Sequence, residues 1–223
     1  MSARVWFFDL DDTLHDASHA IFRAIDARMT DYVQHHLAVD RPEANRIRRD
    51  YWLRYGATLL GLVRHHGVDA HHFLAQTHDF DVAALVRAER GLGALLARLP
   101  GRKVLLTNAP AHYAAAVLRE LAVHAHFTRR YAIESMRVHG RFRPKPSRSM
   151  LAAMLAREGV PGSRAVLVED SLRNLKSAKS LGLATVLVTA HGSGSVRRPL
   201  YVDAVVASLH ELPRVAARLP RGC

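Results

Sequence analysis

Val5-Trp6-Phe7-Phe8-Asp9-Leu10-Asp11-Asp12-Thr13-Leu14 sets four apolar residues directly ahead of three carboxylates in four positions. A short run of consecutive apolar residues is the pattern of a strand covered on both faces, as at the centre of a parallel sheet. The acids then fall at the carboxyl end of that strand, the edge at which open α/β sheets hold their ligands.

Carboxylates this close repel one another and have raised pKa values unless a cation or a shared proton relieves them. The hard, oxygen-seeking cation that this chemistry suggests is Mg2+. Two later apolar runs end in polar residues in the same way. Leu105-Leu106 leads into Thr107-Asn108-Ala109-Pro110, followed by a helix start whose free amides favour an anion. Val166-Leu167-Val168 leads into Glu169-Asp170-Ser171, with Asn174 one helical turn later. Between them, Arg143-Pro144-Lys145-Pro146 fixes a lysine between two prolines, and Ser147 is placed to cap the helix that follows. In a parallel sheet such strand ends converge on one edge, so four motifs scattered along the chain are expected to meet.

The rest of the chain supports that sheet. Residues 17–88 contain no convincing strand and read as helices over 20–37, 42–55, 58–66 and 70–76, with a fifth opened by Asp81. From residue 89 onward helix and strand alternate. The pattern includes strands at 103–106, 131–133, 165–168, 184–188 and 204–206, a loop at 191–198 and a last helix at 209–218. Alternation of this kind implies right-handed crossovers and parallel strands. The expected architecture is α/β: a Rossmann-like doubly wound parallel sheet core formed by residues 1–16 and 89–223. An all-helical cap, residues 17–88, is inserted after the first strand.

The four motifs, in this order, resemble those of the haloacid dehalogenase (HAD) superfamily of phosphohydrolases, and the resemblance covers the whole core. Asp9-Leu10-Asp11-Asp12-Thr13 is similar to its first motif, D-x-D-x-T. The resemblance implies that Asp9 is the nucleophile and Asp11 the general acid/base. It also implies that Thr107, Asn108 and Lys145 bind phosphate, and that Asp9, Asp11 (through its carbonyl), Asp170 and Glu169 hold Mg2+, with Ser171 and Asn174 in support. Where many relatives continue Lys-Pro-Asp-Pro, this chain has Lys145-Pro146-Ser147-Arg148. Within the superfamily, the run Asp170 to Gly182 is similar to the DDSxRNLxxAKxLG signature of pyrimidine 5′-nucleotidase-like proteins, and residues 49–59 to their Y-x-x-Y-G-x-T-L pattern. That closer resemblance implies a pyrimidine nucleoside 5′-monophosphate such as UMP or CMP as substrate, with Arg54 and Tyr55 of the cap meeting it.

Composition bounds the alternatives. Apolar residues make up 49% and charged residues 23% of the 223, an ordinary balance for a globular protein. The formal charge of +12 is mostly arginine, but the arginines are spread along helical stretches, so the reading is a solvated basic surface and no specific nucleic-acid partner. The 15 histidines lack a zinc-binding spacing and are expected at the surface or in caps. A single cysteine, Cys223, fits a reducing compartment, and no apolar run approaches a membrane span. Cleavage of a signal peptide would remove Asp9, so the cytoplasm is the expected location. Two other readings stand beside the nucleotidase: a HAD phosphatase for a small acid or sugar phosphate such as phosphoglycolate, and a non-enzymatic basic protein that binds nucleic acid. The Asp at position 11 argues against a dehalogenase, which has no leaving oxygen to protonate.

Overall fold

The computed structural model describes residues 4–87, 89–191 and 198–220. The loop expected at 191–198, apart from its two ends, and Cys223 lie outside the described residues. The chain divides into two compact units, Met1–Ser18 with Val86–Cys223, and His19–Leu85.

The first unit begins with β1 (Val5–Phe8), and the second unit supplies four helices: α1 (Ile21–Leu37), α2 (Arg41–Tyr55), α3 (Thr58–His66) and α4 (Ala70–Thr77). The chain then returns to the first unit through α5 (Leu92–Arg98), β2 (Arg102–Leu106), α6 (Ala111–Glu120) and β3 (Phe127–Tyr131). A hairpin of β4 (Arg137–Val138) and β5 (Arg141–Phe142) leads to α7 (Arg148–Glu158), β6 (Ala165–Glu169) and α8 (Leu172–Lys179). Strands β7 (Ala184–Val188) and β8 (Ala204–Val206) and the short helix α9 (Leu212–Ala216) complete it.

Six strands form one parallel sheet in the order β3-β2-β1-β6-β7-β8. β1 is thus paired on both sides, with Phe8 opposite Leu105 of β2 and Val168 of β6. Both faces of β1 are covered, which is why its four residues are all apolar and all buried. Val5 and Phe7 join a core that includes Val104, Leu167, Leu175 and Leu187. On the alternate positions Trp6 stacks on Phe8 at 6.3 Å and Phe8 meets Phe127 edge-on at 6.0 Å, while Trp6 Nε1 donates to the Pro100 carbonyl at 2.8 Å. Full burial of side chains of this size stabilises the fold by about 1.5–3 kcal/mol each. The strand order reverses between β1 and β6, and in open α/β sheets that switch point is where a crevice for ligands forms.

The helical unit follows its local signals. Asp40 caps α2 by accepting from Glu43 N, with Pro42 in the first turn, and Asp69 caps α4 by accepting from His72 N. Gly56 ends α2 at φ 84°, a left-handed turn that lets its N–H reach the Trp52 carbonyl. Arg48 of α2 ties that helix to α1 through Asp26 and the Thr30 hydroxyl.

Three local expectations are corrected and one element is added. Asp81 opens a turn and no helix: its carboxylate accepts from Ala83 N and Ala84 N as a cap would, but a single turn follows, with Leu85 N on the Val82 carbonyl at 3.1 Å. The third strand runs over Phe127–Tyr131, earlier than the 131–133 expected; its middle residues Thr128, Arg129 and Arg130 are exposed, leaving no apolar run to mark it. The last helix is broken in two, a 3-10 turn at Leu209–Glu211 and then α9, because Pro213 has no N–H to continue the first turn. The β4–β5 hairpin was not expected at all: two-residue strands are too short to show a period, and its turn is made by His139 and Gly140, both at positive φ.

Candidate active site

Parallel register places the polar strand ends side by side. Asp9 follows β1 directly and its N–H donates to the Val168 carbonyl at 3.0 Å, so it stands next to the end of β6. Thr107 follows β2, with its N–H on the Tyr131 carbonyl at 3.0 Å. Glu169 is the last residue of β6 and Asp170 the next. Ligand oxygens of Asp9, Glu169 and Asp170 lie within 4.8 Å of one another, the one such group of metal-ligating type among the described residues.

Lys145 reaches this group from the loop ahead of α7. Its ammonium, 2% exposed, lies 2.7 Å from Asp9 Oδ1 and donates to Glu169 Oε2 at 2.8 Å. Asn108 fixes the lysine's backbone from both sides: Asn108 Nδ2 donates to the Lys145 carbonyl at 3.1 Å, and Lys145 N donates to Asn108 Oδ1 at 2.9 Å. Ser147 caps α7 by accepting from Met150 N at 3.3 Å, so the serine does there what an aspartate would. Thr107 Oγ1 accepts from Ala109 N at 3.0 Å, holding the turn that opens onto α6.

Beyond β1 the chain turns sharply, with Leu14 N on the Leu10 carbonyl at 2.8 Å and Asp12 in the left-handed region at φ 54°, a conformation aspartate tolerates better than most residues. The Asp12 carboxylate closes the turn by accepting from Ser18 N at 2.8 Å and Ser18 Oγ at 2.5 Å. Asp11 points elsewhere, its Oδ1 accepting from the Tyr113 hydroxyl at 2.6 Å and lying 2.9 Å from His15 Nε2.

Residues 3–182 match the haloacid dehalogenase-like hydrolases. The chain belongs to this family. It is similar to phosphate metabolism protein 8 of Saccharomyces cerevisiae, 23% identical over 82% of this chain and 61% of that protein. It is also similar to a phosphoglycolate phosphatase of Pseudomonas savastanoi pv. phaseolicola, 26% identical over 82% of this chain and 68% of that protein. The match to the yeast protein therefore spans less than two thirds of its length. Among solved structures, a HAD phosphatase from Thermococcus onnurineus superposes with a TM-score of 0.65 at 20% identity, over 97% of this chain and 98% of that one. At that identity the likeness establishes the fold: a six-stranded parallel sheet with flanking helices, Rossmann-like as in HAD proteins.

The electrostatics of this candidate site are those of an acid cluster around one cation. Burial, joined by the charge of Glu169, pushes the Asp9 carboxyl well above the usual aspartate range even with Lys145 beside it. Burial raises Glu169 as well, and pushes Asp170 up to about 6. Burial opposes the charged form of Lys145, but Asp9 and Glu169 outweigh it and hold its ammonium above the ordinary lysine value. Once ionised, three carboxylates facing one ammonium carry more negative charge than that cation neutralises. This donor set fits a divalent, oxygen-liganded ion such as Mg2+.

The structure therefore brings together Asp9, Lys145, Glu169 and Asp170, with Asn108 holding the lysine. Ser171 lies beside them, its N–H on Glu169 Oε1 at 3.2 Å, and Asn174 begins the helical ladder of α8 with its N–H on the Ser171 carbonyl at 3.1 Å. The Asp11 side chain is not part of the acid cluster and turns to Tyr113 and His15. Arg54 and Tyr55 belong to the helical unit, where the Arg54 and Arg64 guanidiniums sit 5.5 and 5.8 Å from the Tyr55 ring centre and the Tyr55 hydroxyl is 2.6 Å from His65 Nε2. Among the described residues no helix is long and apolar enough to cross a membrane.

Sequence reasoning passed over His15 and Tyr113. Histidines are expected at the surface or in caps, yet His15, just after β1, is fully buried. The spacing of His15, four residues after Asp11, was the available signal. Tyr113 offered none, because an aromatic in the first turn of an amphipathic helix reads as core.

Proposed function

We propose that this HAD hydrolase is a Mg2+-dependent phosphomonoesterase that works through an aspartyl-phosphate and acts on nucleoside 5′-monophosphates, UMP or CMP before others. The observation that carries the reading is Lys145 bridging Asp9 and Glu169 beside Asp170 at the strand-order reversal. A buried cation among acids is what an incoming phosphate dianion and a carboxylate nucleophile both need.

Asp9 attacks phosphorus in line with the ester bond, forming an acyl phosphate as the leaving oxygen departs. Asp11 gives that oxygen its proton and then takes one from the water that hydrolyses the intermediate, a role worth roughly 10²- to 10⁴-fold. Lys145, Thr107 and Asn108 orient the phosphoryl oxygens, and Lys145 balances charge on Asp9 before attack. Asp9, Asp170 and Glu169 would hold Mg2+, which when bound supplies positive charge against the transferring phosphoryl group.

The nucleotide preference rests on the resemblance of Asp170 to Gly182 and residues 49–59 to pyrimidine 5′-nucleotidase-like proteins. A phosphatase for a small acid phosphate is the second reading, favoured by the similarity to a phosphoglycolate phosphatase. Phosphate release measured across nucleoside monophosphates, phosphoglycolate and sugar phosphates, with and without Mg2+, separates the two. UMP or CMP is expected to give the highest kcat/KM, and Asp9→Asn to abolish turnover of every substrate while keeping the fold. Activity of Asp9→Asn within about tenfold of the wild type would remove Asp9 as the nucleophile.

A further inference from the structure

We propose that Tyr113 and His15 are positioning residues that clamp Asp11 by one carboxylate oxygen and so choose the other for proton exchange with the leaving group. The inference rests on the acid/base role given to Asp11 above and extends it to two residues outside the four motifs. Both contacts fall on the same atom: the Tyr113 hydroxyl donates to Asp11 Oδ1 at 2.6 Å, and His15 Nε2 lies 2.9 Å from that oxygen. The two residues come from different places, His15 from the turn after β1 and Tyr113 from the first turn of α6, and both are 0% exposed. Two buried contacts from independent elements fix both the side-chain rotamer and the plane of the carboxylate, where one would leave it free to rotate.

The chemistry makes that choice of oxygen useful. Tyrosine can donate to Oδ1 whether Asp11 is a carboxylate or a carboxylic acid, and so can imidazole through Nε2–H. The clamp therefore survives both halves of the reaction. An oxygen already accepting two hydrogen bonds is the poorer seat for a proton, so the proton is carried on Oδ2. In the first half, the bond from Asp9 to phosphorus forms as the ester P–O bond breaks. The ester oxygen takes the proton from Oδ2 and leaves as the alcohol, and Asp11 is left as the carboxylate. In the second half, water gives a proton to Oδ2 as its oxygen bonds to phosphorus and the bond to Asp9 breaks. Phosphate is released and both aspartates return to their starting state. His15 Nδ1 is buried with no hydrogen-bond partner among the described residues, so the imidazole's one polar contact there is through Nε2. A histidine held only for packing is better served by an apolar side chain, since a buried polar atom without a partner is destabilising.

The test is the dependence on the leaving group. The measurement is kcat/KM, which excludes hydrolysis of the intermediate, for an alkyl phosphate that needs its leaving oxygen protonated and for 4-nitrophenyl phosphate, which needs this far less. Tyr113→Phe and His15→Leu each remove one donor, and thermal melting checks that each remains folded. Each is expected to lower kcat/KM for the alkyl ester by roughly tenfold or more, the scale on which small misplacements of a catalytic group act, and to change the nitrophenyl ester little. His15→Gln, which keeps an N–H, is expected to recover part of the loss. Equal losses on both esters, or none on either, overturn the clamp. Asp11→Asn is run in parallel: a selective loss there with flat clamp variants overturns only this inference, whereas no selective loss in Asp11→Asn overturns the role of Asp11 and the clamp with it.

Discussion

Lys145 Nζ lies 2.7 Å from Asp9 Oδ1, although the two residues are held by separate segments of chain, one following the central strand and one ahead of α7. The same ammonium donates to Glu169 at 2.8 Å, so one buried cation serves two carboxylates. Breaking a buried ion pair by removing one partner strands the other charge and costs about 3–5 kcal/mol. Lys145→Met is therefore expected to lower stability in urea by that order in metal-free buffer and to abolish phosphate release. A variant as stable as the wild type would mean that Asp9 and Glu169 do not depend on the lysine for charge balance.

The acid cluster predicts a pH dependence with a definite sign. Burial pushes Asp170 up to about 6 in the folded chain, against about 3.9 for an unperturbed aspartate. Between those values the folded protein binds more protons than the unfolded one. The stability this group contributes is therefore full below about pH 4 and lost as pH rises through 6. In EDTA the wild type should lose stability relative to Asp170→Asn between pH 4 and pH 7, by up to roughly 3 kcal/mol. Affinity for Mg2+, read by titration calorimetry, should rise over the same window, because a ligating carboxylate must first lose its proton. A pH-independent difference between the two proteins would contradict the raised value.

Away from the site, Glu158 gathers a network at the end of α7. Its buried carboxylate accepts from the Tyr131 hydroxyl at 2.7 Å and from Arg102 Nη1 at 3.0 Å, with Arg129 Nε at 3.5 Å. Tyr131→Phe takes one donor from a buried charge and should cost about 1–3 kcal/mol in a urea titration. A change too small to measure would show that the arginines satisfy Glu158 without it.

Specificity is predicted to depend on the helical unit, because every residue proposed above to handle phosphate lies outside it. If a pyrimidine ring stacks on Tyr55, Tyr55→Ala lowers kcat/KM for UMP or CMP by roughly ten- to a hundredfold, or about 1–3 kcal/mol of stacking. An aryl phosphate should lose much less. The bond to His65 and the two flanking arginines give Tyr55 a structural role as well. Equal losses on both substrates would assign it that role alone.

The sequence by itself determined the parallel α/β core and the residues at its strand ends. A short apolar run flanked by turn residues suits a strand covered on both faces of a sheet, and the polar residue after such a run then emerges at the sheet's edge. Asp9, Thr107 and Glu169-Asp170 were legible for that reason, and Lys145 because two flanking prolines restrict its backbone. Short or irregular pieces were not legible: the β4–β5 hairpin, the arginine-rich β3 and the break at Pro213 carry no period long enough to read. Tertiary structure alone decided which partners these residues take. The distance from Lys145 to Asp9, the hold of Asn108 on the Lys145 backbone, and the meeting of Tyr113 with Asp11 from 102 positions away are set by the order in which strands join the sheet. No local pattern encodes that order, because it depends on which buried surfaces fit together once the whole core has packed.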